Sequence, residues 1–309
     1  MISYKCSLRR CSVYIRRPSA WGFHPFRAEE ERREIEQCFL SEHGIGDKPR
    51  VSESGARRIV GAVAPHAGLV YSGPVASHVY YYLARDGRPE TFVILGVSHS
   101  GNPGFATMLD AIWRMPLGDV NVDATLAKSI VRHSDFVDVN PSAHEGEHSI
   151  EIQLPFLQYV YGGGFKIVPI VVGYGDYEMC ENVGSAIFKA VKETGRDVVI
   201  IGSTDFTHYG AIYGYAPAGT GPIDKVLRWI YQTDRSLIDK IISLNAEGLI
   251  REVRENNYTM CGYLPVATMI IAAKRMGVSR GRLLKYATSY DIQGSSEVIV
   301  GYASIVIER

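Results

Sequence analysis

Cysteine is scarce and scattered in this 309-residue chain: Cys6, Cys11, Cys38, Cys180 and Cys261 are odd in number and form no C-x-x-C pair. That pattern excludes a disulfide framework and a structural zinc cage, and suits a reducing cytoplasm. Net charge is also missing, because 33 Lys and Arg balance 33 Asp and Glu. With no global field to attract a polyanion, nucleic acid is not an expected partner. The one basic cluster, Lys5, Arg9, Arg10, Arg16 and Arg17, lies at the extreme N-terminus and lacks the apolar stretch of a secretory signal. The longest apolar runs, such as Phe165 to Val172 and Pro265 to Ala273, are under half the roughly 20 residues that cross a bilayer, so no membrane role is expected. No Gly-Lys-Ser/Thr follows Gly162, Gly163 and Gly164, which read as a helix end and turn rather than a phosphate loop. Nor is any stretch polar or repetitive enough to be a linker. One large domain over residues 16–309 is expected, with residues 1–15 as an N-terminal extension.

What the chain does have is ordinary globular composition, 46% hydrophobic and 21% charged. Apolar β-branched runs alternate with segments of helical spacing, as in an α/β domain with a mostly parallel or mixed central sheet flanked by helices. Strands are expected at Arg58 to Ala64, Thr91 to Val97, Lys166 to Val172, Val198 to Gly202, Leu283 to Ala287 and Val298 to Ile307. Helices are expected at Pro74 to Arg85, Ala124 to His133, Ser149 to Tyr159, Tyr177 to Glu193, Leu227 to Leu244 and Leu264 to Met276. The segment Phe105 to Val122 reads as a hairpin-like excursion.

Polar residues gather where these strands end. Pro65-His66-Ala67-Gly68 follows the first strand, Ser98-His99-Ser100 the second, and Ser203-Thr204-Asp205-Phe206-Thr207-His208 the fourth. Ligands of open α/β sheets bind at the carboxyl ends of strands, so these endings point to one convergent site. Taken singly, a histidine at a strand end is more often a hydrogen-bonded structural residue. Cys261 stands just before a helix, where a helix N-terminus favours the metal-binding thiolate, against the plainer reading of a small buried hydrophobe. Asp205 and His208 are three apart, a spacing that lets the carboxylate orient the imidazole, or makes them a cap and a surface histidine.

Two further patterns compete. His144-Glu145-Gly146-Glu147-His148 spells H-E-x-x-H, but Pro141 and Gly146 deny it the helix that would put both histidines on one face. Ser98 with His208 and Asp205 could be a hydrolase triad, yet Gly96-Val97-Ser98-His99-Ser100 lacks the closing glycine of a nucleophile elbow.

Together, Ala64-Pro65-His66-Ala67-Gly68, Ser98-His99, Glu147-His148-Ser149-Ile150-Glu151, Ser203 to Gly210 and Cys261-Gly262 resemble the signature of the MEMO family, in its order and over most of the chain. The resemblance implies the fold of class III extradiol dioxygenases, which are non-haem iron enzymes. It also implies metal ligands at His66, His99 and Cys261, with Asp205 and His208 lining the pocket as catalytic residues. A cysteine in place of the dioxygenase carboxylate softens the site, so copper competes with iron(II) and zinc is accommodated. In animals the family is known as a mediator of receptor-driven cell motility, with phosphopeptide binding and copper-dependent redox activity. In microbes it is grouped with AMMECR-type and radical-SAM proteins. Two functions follow: a metal-dependent redox enzyme, or a binding or scaffold protein whose pocket takes a peptide or small anionic ligand.

Overall fold

A computed structural model of the chain describes residues 13–54, 56–101 and 104–309. Lys5, Arg9, Arg10, Cys6 and Cys11, and most of the extension expected over residues 1–15, lie outside the described residues. From the N-terminal side, β1 (Tyr14–Arg16) and α1 (Ala28–Leu40) precede β2 (Ile59–Ala64), α2 (Leu69–Asp86) and β3 (Thr91–Val97). Short strands β4 (Phe105–Thr107), β5 (Ala111–Met115) and β6 (Gly118–Val122) lead to α3 (Ala124–His133), β7 (Val137–Val139), α4 (Gln153–Tyr161) and β8 (Lys166–Val172). The rest is α5 (Tyr177–Thr194), β9 (Val198–Ser203), β10 (His208–Gly210), α6 (Ile223–Ile242), α7 (Ala246–Glu255), α8 (Tyr263–Arg275), β11 (Arg280–Thr288), α9 (Ser289–Gln293) and β12 (Val298–Glu308).

The apolar runs became the middle of the sheet for the reason their composition suggested: helices cover both of their faces. β8, β3, β9 and β2 lie side by side and parallel, and every residue of β2 and β9 is buried. β12 pairs antiparallel with β2 and carries β11 and β10 on it, while β6, β5 and β1 extend the other side. The sheet is therefore mixed. Its order places β9 between β3 and β2, so the loops leaving their carboxyl ends are neighbours. At a strand spacing of about 4.8 Å, those adjacent loops are close enough to share one ligand.

Local chemistry sets the element ends. Asp123 and Asp176 accept the N-terminal amides of α3 and α5, and Gly195 closes α5 in the left-handed region at φ +66°. Helix α2 starts at Leu69, earlier than expected, and runs through Pro74. Proline cannot donate to the carbonyl four residues back, and the Gln293 side chain bonds that orphaned Val70 carbonyl at 2.7 Å instead. Helix α4 starts late, at Gln153. Ser149 turns its hydroxyl to the Val97 carbonyl at 2.9 Å, and residues 150–154 close tight turns with three-residue hydrogen bonds before the α-helix begins. The expected helix from Leu227 to Leu244 ends at Ile242, and a separate α7 follows. Gly162 closes α4, as its sequence position implied. No helix among the described residues is long and apolar enough to cross a membrane.

Candidate metal centre

Three neighbouring loops deliver three imidazoles to one point. His66 follows β2, His99 follows β3, and His148 comes from the turn before α4; one ring nitrogen of each lies within 4.8 Å of the others. What stands behind the rings decides which nitrogen faces inward. Ser203 Oγ gives its single proton to the Ser149 carbonyl at 2.6 Å, so toward His66 Nδ1, 3.0 Å away, it can only accept. His66 Nδ1 therefore carries the proton and Nε2 is left with a bare lone pair. His99 Nδ1 lies 3.0 Å from Glu147, whose carboxylate also takes the His99 backbone amide at 2.7 Å and the Ser149 amide at 2.8 Å. The same carboxylate is 3.6 Å from His148 Nδ1. A carboxylate behind an imidazole fixes its tautomer and raises its basicity as a ligand.

Cys261 lies beside the group. Its Sγ is 3.2 Å from His66 Nε2, but the three-membered metal-capable group is His66, His99 and His148, where the sequence reading expected His66, His99 and Cys261. Gly262 lets the cysteine loop come so near: a Cβ there would meet the Ser203 carbonyl oxygen at 2.3 Å. Asp205 sits at the floor, accepting the His66 amide at 2.8 Å, and its own amide donates to Cys261 Sγ at 3.4 Å. His208 faces the same cavity with Nδ1 at 3.0 Å from the carbonyls of both Phe206 and Thr259, so its Nε2 is the proton acceptor. Backbone carbonyls, rather than Asp205, orient that ring.

The electrostatics match the requirements of a cation site. Burial, followed by His148, His99 and His208, pushes His66 well below the usual imidazole value, and burial with His99 lowers His148 to about 4. Both rings are held neutral, the form that binds metal. Burial alone would raise Glu147, but the His99 and Ser149 hydrogen bonds hold it at about 2, so the supporting charge is permanent. Burial, then Asp205, pushes the Cys261 thiol up to about 12. This corrects the expectation of a thiolate made by the helix end: α8 does begin at Tyr263, yet desolvation outweighs it.

A buried network of charges around Glu151 fastens the N-terminal segment to the site. Glu151 receives Arg16, the amides of Ser19 and Ala20 at 3.1 Å each, and His24 Nε2 at 2.9 Å; His24 Nδ1 meets Glu31 at 2.6 Å. This fastening lays Phe23 against His148, with ring centroids 4.1 Å apart.

The profile of the family described as "Memo-like protein" matches residues 16–306. A "MEMO1 family protein" of Methanopyrus kandleri is 45% identical over 95% of this chain and 99% of its own length. One from Thermococcus kodakarensis is 42% identical over 96% of this chain and all of its own, and one from Methanothermobacter thermautotrophicus is 43% identical over 94% and 99%. The chain belongs to the MEMO family.

Within this MEMO family chain, all five residues singled out from sequence, His66, His99, Cys261, Asp205 and His208, line one cavity. His148 lines it too and joins the metal-capable group, a position the sequence reading left without a role. The H-E-x-x-H match drew attention to His148 but with the wrong partners. His144 ends a 3-10 turn, Pro141–His144, with its ring buried 6.0 Å from Trp113 and away from the cavity, and Glu145 faces Tyr14. The acid that serves the histidines is Glu147. Ser98 is not among the residues lining the cavity that holds His208 and Asp205, and its hydroxyl lies 3.3 Å from that of Ser100.

Proposed function

We propose that this chain is a metal-dependent redox protein of the MEMO family whose ion is held by His66, His99 and Cys261, with His148 as an additional donor. The observation that carries this reading is the convergence of bare imidazole nitrogens whose outer nitrogens are tied back to Ser203 and Glu147, beside a thiol 3.2 Å from one of them. Imidazoles with one thiolate suit iron(II) and copper, and zinc accepts the same set. The ion, when bound, supplies electron transfer and Lewis acidity.

The chain's own residues do the rest. His208, with Nδ1 protonated and held by two carbonyls, presents Nε2 to accept a proton from a bound substrate. Asp205 braces the floor by fixing the His66 backbone and by donating its amide to Cys261. A reducing cytoplasm that keeps Cys261 available, and association with AMMECR-type and radical-SAM proteins, belong to the same proposal.

Elemental analysis of protein purified without chelator or affinity metal tests it. About one ion per chain is expected, retained in His144→Ala and lost in His66→Ala or His99→Ala. A chain that stays metal-free after incubation with iron(II), copper(I) and zinc would return the function to a non-catalytic binding or scaffold protein.

A further inference from the structure

One buried carboxylate takes no part in the chemistry described above. Asp234, on α6, is fully buried, and burial pushes its carboxyl up to about 6 although hydrogen bonds from Thr207 and Tyr286 work the other way. Among the described residues no Lys, Arg or His forms an ion pair with it. Oδ1 accepts the Thr207 amide at 3.1 Å and the Thr207 hydroxyl at 2.5 Å, and Oδ2 accepts the Tyr286 hydroxyl at 2.7 Å. A buried acid is costly, and apolar side chains of similar volume fill such a space at least as stably. Stability alone therefore gives no reason for an acid at this place.

The reason lies in what it holds. Gly301, on β12, packs against Asp234 so closely that a Cβ there would lie 1.9 Å from Oδ2. The Gly301 carbonyl accepts the Phe206 amide at 2.8 Å, and its amide donates to the Thr207 carbonyl at 2.9 Å. Thr207 is thus held by β12 through its carbonyl and by α6 through its amide and hydroxyl. The chain on both sides of this residue enters the candidate centre. Asp205, two residues before it, accepts the His66 amide at 2.8 Å and donates its own amide to Cys261 Sγ at 3.4 Å. His208, the next residue, lines the cavity and donates its amide to Thr259 Oγ1 at 2.8 Å.

We propose that Asp234 is a positioning residue of this centre: through Thr207 it fixes the segment that carries Asp205 and His208, and with it the seat of Cys261 beside His66. The assignment rests on reading the histidines and Cys261 as a metal site. Asp234 itself touches neither ion nor substrate. It acts through two hydrogen bonds to one residue.

Cobalt(II) titration of the chelator-stripped chain tests the assignment, because thiolate ligation gives cobalt(II) an absorption band that imidazole ligation lacks. Asp234→Ala is expected to weaken cobalt(II) binding about tenfold or more and to reduce the thiolate band at saturation. Asp234→Asn, whose side-chain oxygen still accepts both Thr207 donors, is expected to restore both nearly to the parent. Arg57→Ala, destabilised at the opposite end of the sheet, is expected to match the parent in both, which separates positioning from a loss of stability. Parent-like behaviour in Asp234→Ala overturns the proposal, and so does an Asp234→Asn that falls as far as Asp234→Ala. Where Asp234→Ala yields no folded chain, Thr207→Val takes its place, and a parent-like Thr207→Val then overturns it. Alkylation of Cys261, read on its own peptide in the stripped chains, needs no ion and is expected to be severalfold faster in Asp234→Ala than in the parent or Asp234→Asn. A parent that binds no metal but shows this difference removes the metal reading alone. A parent that binds cobalt(II), with all three chains alike in affinity, band and alkylation, removes this proposal alone.

Discussion

At the amino ends of β2 and β9 lies a hollow of about 380 Å³ lined by Arg57, Lys192, Arg196, Arg275 and Arg309 around Asp197; at the carboxyl ends of the same strands lies the histidine cavity. Most of the cations at the first end are already matched, Arg57 by Asp197 and Asp86, Arg196 by Asp123, and Arg275 by Glu181. At the second end the matching stops halfway through each ring: outer nitrogens are bonded to Ser203 and Glu147, while inner ones converge. Charge satisfied on every side holds a shape. Lone pairs held in place and left open are what a ligand site requires.

The largest effect that would test this division is on stability. Glu151→Ala leaves the buried Arg16 and His24 without their shared acceptor, and the chain is expected to lose about 3–5 kcal/mol by urea denaturation. Arg57→Ala, at the opposite end, is expected to lose only about 1–2 kcal/mol, because its main partner Asp197 is half exposed. Equal losses would mean that the two ends are built alike.

Metal affinity sharpens the contrast. His66→Ala or His99→Ala is expected to weaken binding by roughly 100-fold or more, and Glu147→Gln by about 10–100-fold through the loosened His99 ring, in competition titrations with a chromogenic chelator. Arg57→Ala should leave the affinity unchanged. A matching fall in Arg57→Ala would dissolve the distinction between a structural and a ligand-binding end.

The buried network should also give stability a pH signature. Burial lowers His24, but hydrogen bonds to Glu151 and Glu31 outweigh it and bring the ring to about 9. A raised folded value means that its contribution is complete below about 6.5 and is lost as pH rises through about 9. Glu151 behaves oppositely. Burial would raise it, while His24 and Arg16 hold it at about 2, so its contribution is present above about 4.5 and is lost as pH falls through about 2. Urea midpoints are therefore expected to fall between pH 7 and 9.5 in the parent chain and more shallowly in His24→Gln. Parallel curves for the two chains would show that the ring is neutral throughout.

The smallest effect belongs to the exposed pair Arg275–Glu181, whose side chains are 40% and 37% exposed. Arg275→Ala is expected to cost under about 1 kcal/mol, and the difference should disappear in about 1 M salt. A cost that persists in salt would mark the amino end as more than a screened surface.

Runs of β-branched residues determined the central strands by themselves, because a strand buried on both faces must be apolar throughout; Thr91–Val97 and Lys166–Val172 stand where the composition put them. His66, His99, Asp205 and His208 were legible for a related reason, since each follows such a strand and ligands gather at carboxyl ends. Sequence was silent where long-range contact decides. Which strands are neighbours, and hence that the ends of β3, β9 and β2 meet, depends on pairing across more than a hundred residues. His148 precedes a helix rather than following a strand, and only packing turned its ring toward His66 while His144, four residues earlier, was buried beside Trp113. The Cys261 thiol shows the same limit in its chemistry. Proximity to a helix end can be read along the chain, but the desolvation that overrules it comes from residues brought over the thiol by the fold, which the residues flanking Cys261 do not announce.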